Sequence, residues 1–140
     1  MKNTEELLTE IMQSTEIEDF LRDNKDSILN LSLTEYFDIL IKEKNVARKD
    51  VINKSQLNYT YGYQILNGTR KPTKDKLIQI CFGLGATVKE ANRILILADA
   101  GGLYSKNRRD CIIMFALNKN LSVQELNELL FELDEKILEL

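Results

Sequence analysis

The residues best placed to do chemistry are basic side chains concentrated in the middle of the chain. Residues 42–76 carry nine lysines and arginines against three acidic residues, a net charge of +6. Residues 1–41 carry a net charge of −7, and the whole chain carries −3. A basic block beside an acidic flank is typical of a phosphate-binding surface inside a mostly acidic protein. A lysine-rich face that meets only solvent is the alternative interpretation.

Residue types that usually carry catalysis are scarce in this chain. Its 140 residues include no histidine, and its two cysteines, Cys81 and Cys111, lie 30 positions apart. Histidine is the most common general base and metal ligand, and two distant cysteines make neither a zinc motif nor a disulfide framework. We therefore predict no enzyme activity, no metal and no cofactor. Both cysteines lie on apolar stripes, so we expect them in the core.

Length and composition are those of one globular domain with room for an appendage. The chain is 44% apolar and 29% charged, which excludes wholesale disorder and low-complexity architecture. No apolar run reaches the length of a membrane span, and the N-terminus lacks the apolar core of a secretory signal. We therefore predict a cytoplasmic protein without a membrane partner.

Apolar residues recur at helical spacing throughout, which predicts an all-α protein. Three Ser/Thr-x-x-Glu boxes mark helix starts: Ser32 with Glu35, Thr87 with Glu90, and Ser122 with Glu125. Gly68 and Gly85 suit left-handed caps, Gly101-Gly102 ends another helix, and Pro72-Thr73 opens the next. The apolar run 111–117 predicts a fully buried helix rather than a strand. The predicted helices cover residues 4–13, 16–24, 33–44, 48–55, 59–67, 74–84, 88–99, 107–118 and 123–138.

Two of these helices are short and closely spaced. The helices at 48–55 and 59–67 are separated by Gln56-Leu57-Asn58, and Asn58 can cap the second helix through its side-chain oxygen. Two short helices joined by a tight turn predict a helix-turn-helix, whose second helix enters the DNA major groove.

With these features the chain resembles the phage-repressor/Cro-like helix-turn-helix family, also called the XRE family. The shared features include the turn Gly68-Thr69-Arg70-Lys71-Pro72 and the amphipathic stretch 74–84 followed by Gly85-Ala86-Thr87. The likeness covers about residues 32–98. It implies a five-helix DNA-binding domain at 32–100, between an acidic helical segment at 1–31 and a helical extension at 101–140 that packs on the same domain.

Several positions depart from the family pattern. Where the family usually has a small residue, a glycine and an aliphatic residue, this chain has Ile52, Gln56 and Gly62. Ile52 and Gly62 look like a large-for-small exchange across one contact, which would keep the packed volume. Ile41 and Leu66 stand where many members have an Arg–Glu pair, and an apolar pair avoids burying two charges.

The resemblance also implies which residues would meet DNA. By position, the base-contacting residues are Asn58, Tyr59, Thr60 and Gln64, and the backbone-contacting residues are Arg48, Lys49, Asn67, Thr69, Arg70 and Lys71. Gln64 is the sharpest candidate, because an amide can pair with both N6 and N7 of adenine. The alternatives are that Gln64 is a solvated helix residue, that Arg70 and Lys71 are ordinary turn residues, and that the tyrosines at 59, 61 and 63 are half-buried aromatics.

The terminal segments have two interpretations each. The acidic, amphipathic N-terminal segment could cover the basic site or bind a protein partner, or it could pack on the domain. On a helix at 123–138, an apolar seam could form a homodimer or close an intramolecular bundle; it consists of Val123, Leu126, Leu130, Leu133, Ile137 and Leu140. The basic cluster Lys106, Arg108 and Arg109 could bind an anion or form structural ion pairs.

Taken with the resemblance, these features predict a sequence-specific regulator of transcription that binds double-stranded DNA. Helix 59–67 would read the major groove, and block 42–76 would supply the salt-dependent attraction to phosphates. The alternative is a protein-interaction module, such as an adaptor or an antitoxin-like partner. Three features favour that alternative: the three tyrosines, Gly62 and the negative net charge of the whole chain. Tyrosine in particular is enriched at protein interfaces.

Overall fold

A computed structural model describes residues 2–26 and 31–140 of the chain. Within those ranges the regular elements are all α-helices, which confirms the predicted all-α class. They are α1 (Thr4–Gln13), α2 (Ile17–Asp23), α3 (Leu33–Glu43), α4 (Arg48–Lys54), α5 (Tyr59–Leu66), α6 (Lys74–Leu84), α7 (Val88–Leu97), α8 (Arg108–Asn118) and α9 (Val123–Glu132). None of the described helices is long and apolar enough to cross a membrane.

The chain divides into two compact units, Met1–Leu31 and Ser32–Leu140. In the first unit α1 and α2 pack on each other, and Phe20 is its buried apolar side chain. The Asn24 amide, also buried, donates to the Glu10 carboxylate at 2.9 Å and to the Phe20 carbonyl at 3.0 Å. The bond to Glu10 joins α1 to the end of α2, and the bond to Phe20 lies within the last turn of α2. Leu8, Ile11 and Met12 on the apolar stripe of α1 are exposed.

Helix starts in the second unit follow the predicted caps. The three Ser/Thr-x-x-Glu boxes each form both of their reciprocal hydrogen bonds, at the starts of α3, α7 and α9. Thr73 caps α6 by accepting a hydrogen bond from the Lys76 N–H at 3.4 Å. Each cap satisfies N–H groups that have no partner inside the helix, which fixes where the helix begins.

Helix ends in the second unit share one backbone feature, a residue in the left-handed conformation just after the helix. Each of its helices is followed within two residues of its last turn by a residue with positive φ: Asn45, Gln56, Gly68, Gly85, Asp99, Asn120 and Asp134. The positive φ of Gly68 and Gly85 confirms the predicted left-handed caps. Asn and Asp tolerate this conformation better than most side chains do, whereas Gln56 does not share that tolerance.

Helix α6 is the centre of the second unit, since every residue from Leu77 to Leu84 is buried. Helix α4 crosses it at Gly83, where a side chain would collide with the Val51 carbonyl and the Ser55 side chain. The buried Gln79 amide donates to the Ser55 carbonyl at 3.0 Å. Helix α6 therefore holds the last turn of α4 through close backbone packing and one buried hydrogen bond.

Helix α9 is shorter than predicted. It ends at Glu132 rather than residue 138, because Asp134 takes a positive φ of 59° and turns the chain. Leu138 is nevertheless fully buried, and its backbone forms two hydrogen bonds with the Asn127 side chain, of 2.8 and 2.9 Å. The first three seam positions, Val123, Leu126 and Leu130, are buried within this chain. The predicted seam is therefore not carried by one continuous helix 123–138, and a homodimer through this region stays a prediction.

The second basic cluster is engaged in structural contacts. Arg109 forms a two-pronged ion pair with Asp75 of α6, with distances of 3.0 and 3.1 Å, and donates to the Lys136 carbonyl at 2.8 Å. Arg108 donates to the Leu133 carbonyl and pairs with Glu135. Arg108 and Arg109 therefore form structural contacts, which was one of the two interpretations of this cluster, the other being anion binding. Their contacts hold the C-terminal segment on α8.

Two predictions about burial near α8 are wrong. Cys81 is buried as expected, but Cys111 is exposed, and its thiol donates to the Ser105 carbonyl at 2.9 Å. Phe115, one helical turn after Cys111, is 52% exposed. The run 111–117 is therefore helical but only partly buried, with one apolar face packed and the other, which carries Cys111 and Phe115, at the surface.

Candidate nucleic-acid interface

Helix α5 has a buried face and an exposed face. Gly62, Ile65 and Leu66 are buried, whereas Thr60 is exposed and Gln64 is half-buried. Thr60 and Gln64 lie four positions apart, so they share one side of the helix. The buried face fixes the helix to the domain and leaves polar side chains on the outer face free to meet a ligand.

Contact between α4 and α5 is closest at Gly62. A Cβ atom at this position would lie 2.6 Å from Ile52 Cγ2 and 2.9 Å from Ile52 Cγ1. Ile52 is fully buried, so its branched side chain occupies the space that a side chain at 62 would otherwise fill. This confirms the predicted exchange of large for small across one contact.

The turn between α4 and α5 comprises residues 55–58. Gln56 takes a φ of 60°, the left-handed conformation in which the family pattern has glycine. Asn58 caps α5 by accepting a hydrogen bond from the Tyr61 N–H at 3.2 Å. The predicted cap is confirmed, and it occupies the Asn58 side-chain oxygen. The amide nitrogen and the second lone pair of this oxygen remain for a contact with a base.

Gln64 is held by the segment that follows α5. Its backbone carbonyl accepts from the N–H groups of Thr69 and Arg70, and its side-chain oxygen accepts from Arg70 Nε at 3.4 Å. The Arg70 guanidinium also lies over the Tyr61 ring, 5.4 Å from its centroid. The Arg70 side chain therefore contacts both the Tyr61 ring and the Gln64 amide oxygen.

Tyr59 and Tyr63 form an aromatic pair at the start of α5. Their ring centroids are 4.7 Å apart in an edge-to-face arrangement, and Tyr59 is 52% exposed. A hydrogen bond with the Tyr63 side chain raises the pKa of Tyr59. Tyr61 and Tyr63 are half-buried, which agrees with the alternative that they are half-buried helix aromatics. Tyr59 has an exposed ring.

The predicted backbone-contacting residues after α5 include two that bond to each other. The Asn67 side-chain oxygen accepts from the Thr69 N–H at 3.1 Å and from the Thr69 hydroxyl at 2.8 Å. This is the hydrogen-bonded turn that asparagine commonly forms with the backbone two residues later. Both side chains are exposed, so they shape the turn while remaining accessible.

The four basic candidates fall into two pairs. Arg48 forms an ion pair with Asp38 of α3, and Arg70 is held by Gln64 and Tyr61. Lys49 and Lys71 are exposed, and neither has a hydrogen bond or ion pair within the part of the chain that the structure describes. The two lysines can therefore reach a phosphate without breaking an existing contact.

Sequence reasoning missed the contact residues that organise this surface. Asp38, which holds Arg48, lies on the preceding helix, where a charged surface position gives no pairing signal. Tyr61 was assigned no role beyond a half-buried aromatic, because the motif places Arg70 in a turn nine residues later without fixing its direction. Neither partner could be found from spacing alone, since both contacts depend on side-chain orientation.

Comparisons of this chain with protein-family models, with curated proteins and with solved structures find no match.

Proposed function

We propose that this protein is a sequence-specific regulator of transcription that binds double-stranded DNA through a five-helix, repressor-like helix-turn-helix domain. Helix α5 would be the recognition helix in the major groove. The observation that carries the proposal is the division of α5 into two faces. Gly62 and its neighbours fasten one face to α4, and the other face presents Thr60 and Gln64 beside a basic turn.

Further support comes from the agreement of local features over residues 48–73. The two short helices, the four-residue turn, the Asn58 cap and the left-handed Gly68 after α5 all occur where the motif requires them. The net charge of +6 over residues 42–76 would attract the phosphate backbone. No catalytic step is needed for this function.

The state of Gln64 decides what it would read. A bidentate pair with adenine needs the amide oxygen to accept from N6 and the amide nitrogen to donate to N7. In the free protein the oxygen accepts from Arg70 Nε at a long 3.4 Å. An amide oxygen has two lone pairs, so it can still accept from adenine N6 while the amide nitrogen donates to N7.

The experiment that tests the proposal is a selection of random duplex DNA on the purified protein, in parallel with Gln64→Ala and Gln124→Ala. Gln124 is exposed on α9 and has no side-chain partner in the described chain, so it controls for loss of a surface amide. We expect one enriched motif for the wild type and for Gln124→Ala, with preference lost at one or two base pairs in Gln64→Ala. If no sequence is enriched even at low salt, the proposal fails.

Salt dependence tests the phosphate contacts separately. Lys71→Gln should weaken binding equally for all sequences and reduce the slope of log affinity against log salt by about 1. Lys89→Gln is the matched control, because Lys89 is exposed on α7 and likewise has no partner in the described chain. If the slope of log affinity against log salt were unchanged in Lys71→Gln, Lys71 would not be a phosphate contact.

A protein-interaction module is the second candidate function. The observation that favours it is the exposed Tyr59 ring, ordered by its edge-to-face contact with Tyr63. Rigid tyrosines supply interface area at low cost in conformational entropy. A module of this kind would give no enriched DNA motif, and a protein partner of either this surface or the acidic segment 1–31 would then be sought.

Homodimerisation stays a prediction. A dimer would place two recognition helices on half-sites about 34–36 Å apart. Two-fold symmetry in the selected motif would support it. Of the predicted seam, Val123, Leu126 and Leu130 are buried within one chain, whereas Leu133, Ile137 and Leu140 are exposed and available to such a contact.

A further inference from the structure

A cavity of about 520 Å³ lies inside the second unit, away from the exposed face of α5. Four chain segments form its walls: Val46 between α3 and α4, the end of α4 with the turn to α5, the end of α6 with the turn to α7, and the end of α8 through the start of α9. Sites for small organic ligands usually have volumes of about 300–1,000 Å³. The cavity is therefore large enough for a small organic molecule.

The floor of the cavity is apolar. It is formed by Phe82, Leu84, Ala86 and Leu117, each of which is buried. Side chains that are already packed on one side give a floor that needs no rearrangement to receive a ligand. An apolar chain or ring placed on this floor would leave water without displacing a protein group.

The rim of the cavity is polar, and most of it lacks partners. Asn53, Lys54, Gln56 and Asn120 line the opening, and none of their side chains has a hydrogen bond or ion pair within the described residues. Three amides and one ammonium group supply N–H donors on this rim. Donors of this kind, set beside an apolar floor, fit an anionic head group on an apolar body.

The acidic residue among the lining residues is Glu125. Its carboxylate accepts from the Ser122 N–H at 3.0 Å as part of the cap that starts α9. This bond commits one of its oxygens to the helix start. Lys54 makes no ion pair with it, so the ammonium group is available to a ligand.

We propose that this cavity binds a small monocarboxylate, with the apolar body on the Phe82–Leu117 floor and the carboxylate held by Lys54 and the neighbouring amides. A phosphate group would need a larger set of cationic donors than one lysine. Because the Glu125 carboxylate also lines the cavity, an organic cation is the competing occupant that the test must exclude. The proposal stands apart from DNA binding, because it rests on the cavity alone.

The location of the cavity would allow a bound ligand to affect the turn between α4 and α5. Gln56 belongs both to the rim and to the left-handed turn that joins α4 to α5. A bound molecule that contacts Gln56 would stabilise one conformation of that turn. The site therefore has the position of an effector site for whatever α5 binds.

The test uses octanoate, octanol and octylamine, three probes with the same chain length and different head groups. Binding to the full-length protein is followed by amide chemical shifts, which locate the site as well as measure the affinity. We expect saturable shifts centred on Phe82, Ala86 and Leu117, with octanoate binding about five-fold or more tightly than either other probe. Equal or tighter binding of octylamine, or shifts centred outside the cavity, would overturn the proposal.

Lys54→Gln and Lys89→Gln separate the head-group contact from general charge. Both lysines are exposed on helices, and Lys89 does not line the cavity. Lys54→Gln should weaken octanoate binding about five-fold and leave octanol unchanged, whereas Lys89→Gln should behave as the wild type. Equal octanoate affinity in all three proteins would contradict the role of Lys54. These measurements contain no DNA, so their outcome is independent of the proposed regulator function.

Discussion

The packing of α5 against α4 can be tested at Gly62. Replacing Gly62 by alanine should destabilise the wild-type protein but stabilise a variant in which Ile52 has been shortened. The substitution Gly62→Ala places a methyl group 2.6 Å from Ile52 Cγ2, whereas ordinary van der Waals contact begins at 3.4 Å. Overpacking of this kind costs about 1–3 kcal/mol, and replacing a helical glycine by alanine returns about 1 kcal/mol. We expect a net loss of about 1 kcal/mol in the free energy of unfolding.

The same substitution should be stabilising when Ile52 is first shortened. Ile52→Ala removes both Cγ atoms and leaves its Cβ at 3.3 Å from the new methyl group, which then fills part of the cavity. On its own Ile52→Ala should cost about 2–5 kcal/mol. Adding Gly62→Ala should recover about 1 kcal/mol or more, so the coupling energy between the two sites is about 2 kcal/mol.

The wild type, the two single variants and the double variant form a double-mutant cycle. Equilibrium unfolding in urea measures the stability of each of the four proteins, with constant m-values as the check on two-state behaviour. Ile52→Val is the matched control. Valine keeps the two branch atoms that approach Gly62, so Gly62→Ala should remain destabilising in that background. A coupling energy below about 0.5 kcal/mol between Ile52→Ala and Gly62→Ala would refute the packing described for α4 and α5.

Three further predictions concern the turn, a cap and the thiols. Gln56→Gly should raise the free energy of unfolding by about 1 kcal/mol, because glycine tolerates the φ of 60°; a loss in urea titrations would contradict the left-handed turn. Burial alone would raise the pKa of Glu90, but its hydrogen bonds with Lys44 and Thr87 lower it overall. A lowered carboxyl pKa adds stability above the usual 4.5 that is lost as pH falls through the lowered value. Glu90→Gln keeps the cap and should therefore cost about 0.5–1 kcal/mol at neutral pH and progressively less as the pH falls below 4.5; an equal cost at all pH values would exclude the ion pair. Burial raises the pKa of the Cys81 thiol to about 12, so a thiol reagent should modify only Cys111 until urea unfolds the chain, and rapid modification of both would place Cys81 outside the core.

Helix starts were accessible to sequence reasoning because they depend on local chemistry. The boxes at Ser32, Thr87 and Ser122 and the cap at Asn58 each use a side chain within three residues of its partner. Spacing in the sequence therefore determines the contact. The Ile52–Gly62 exchange was accessible for a related reason, since a volume lost on one side of a contact requires a volume gained on the other.

The end of α9 and the exposure of Cys111 were not accessible in the same way. The apolar spacing of Leu133 and Ile137 continues past Asp134, and the stop depends on an aspartate that takes a left-handed conformation. Aspartate forms helix ends less often than glycine does, so its signal is weak against a continuing stripe. The exposure of Cys111 depends on which face of α8 the neighbouring elements cover, and periodicity cannot determine that when both faces are apolar.

The partners of the arginines required the three-dimensional structure. Arg48 reaches Asp38, and Arg109 reaches Asp75 across 34 positions of the sequence. Long side chains can pair in many directions, so charge patterning predicts that they are basic and exposed but not where they point. The structure thereby divides the predicted phosphate contacts into arginines with existing partners and the lysines at 49 and 71, which have none among residues 2–26 and 31–140.

Direct reading of a base by Gln64 is tested by removing one ring atom from the DNA. On the motif that the random selection yields, each purine in turn is replaced by its 7-deaza analogue, which lacks the N7 acceptor in the major groove. Affinities are then measured for the wild type and for Gln64→Ala. We expect one position at which the analogue weakens wild-type binding about five-fold and leaves Gln64→Ala binding unchanged. Equal losses in both proteins at every position would show that Gln64 reads no purine N7 and would contradict recognition by α5 as proposed.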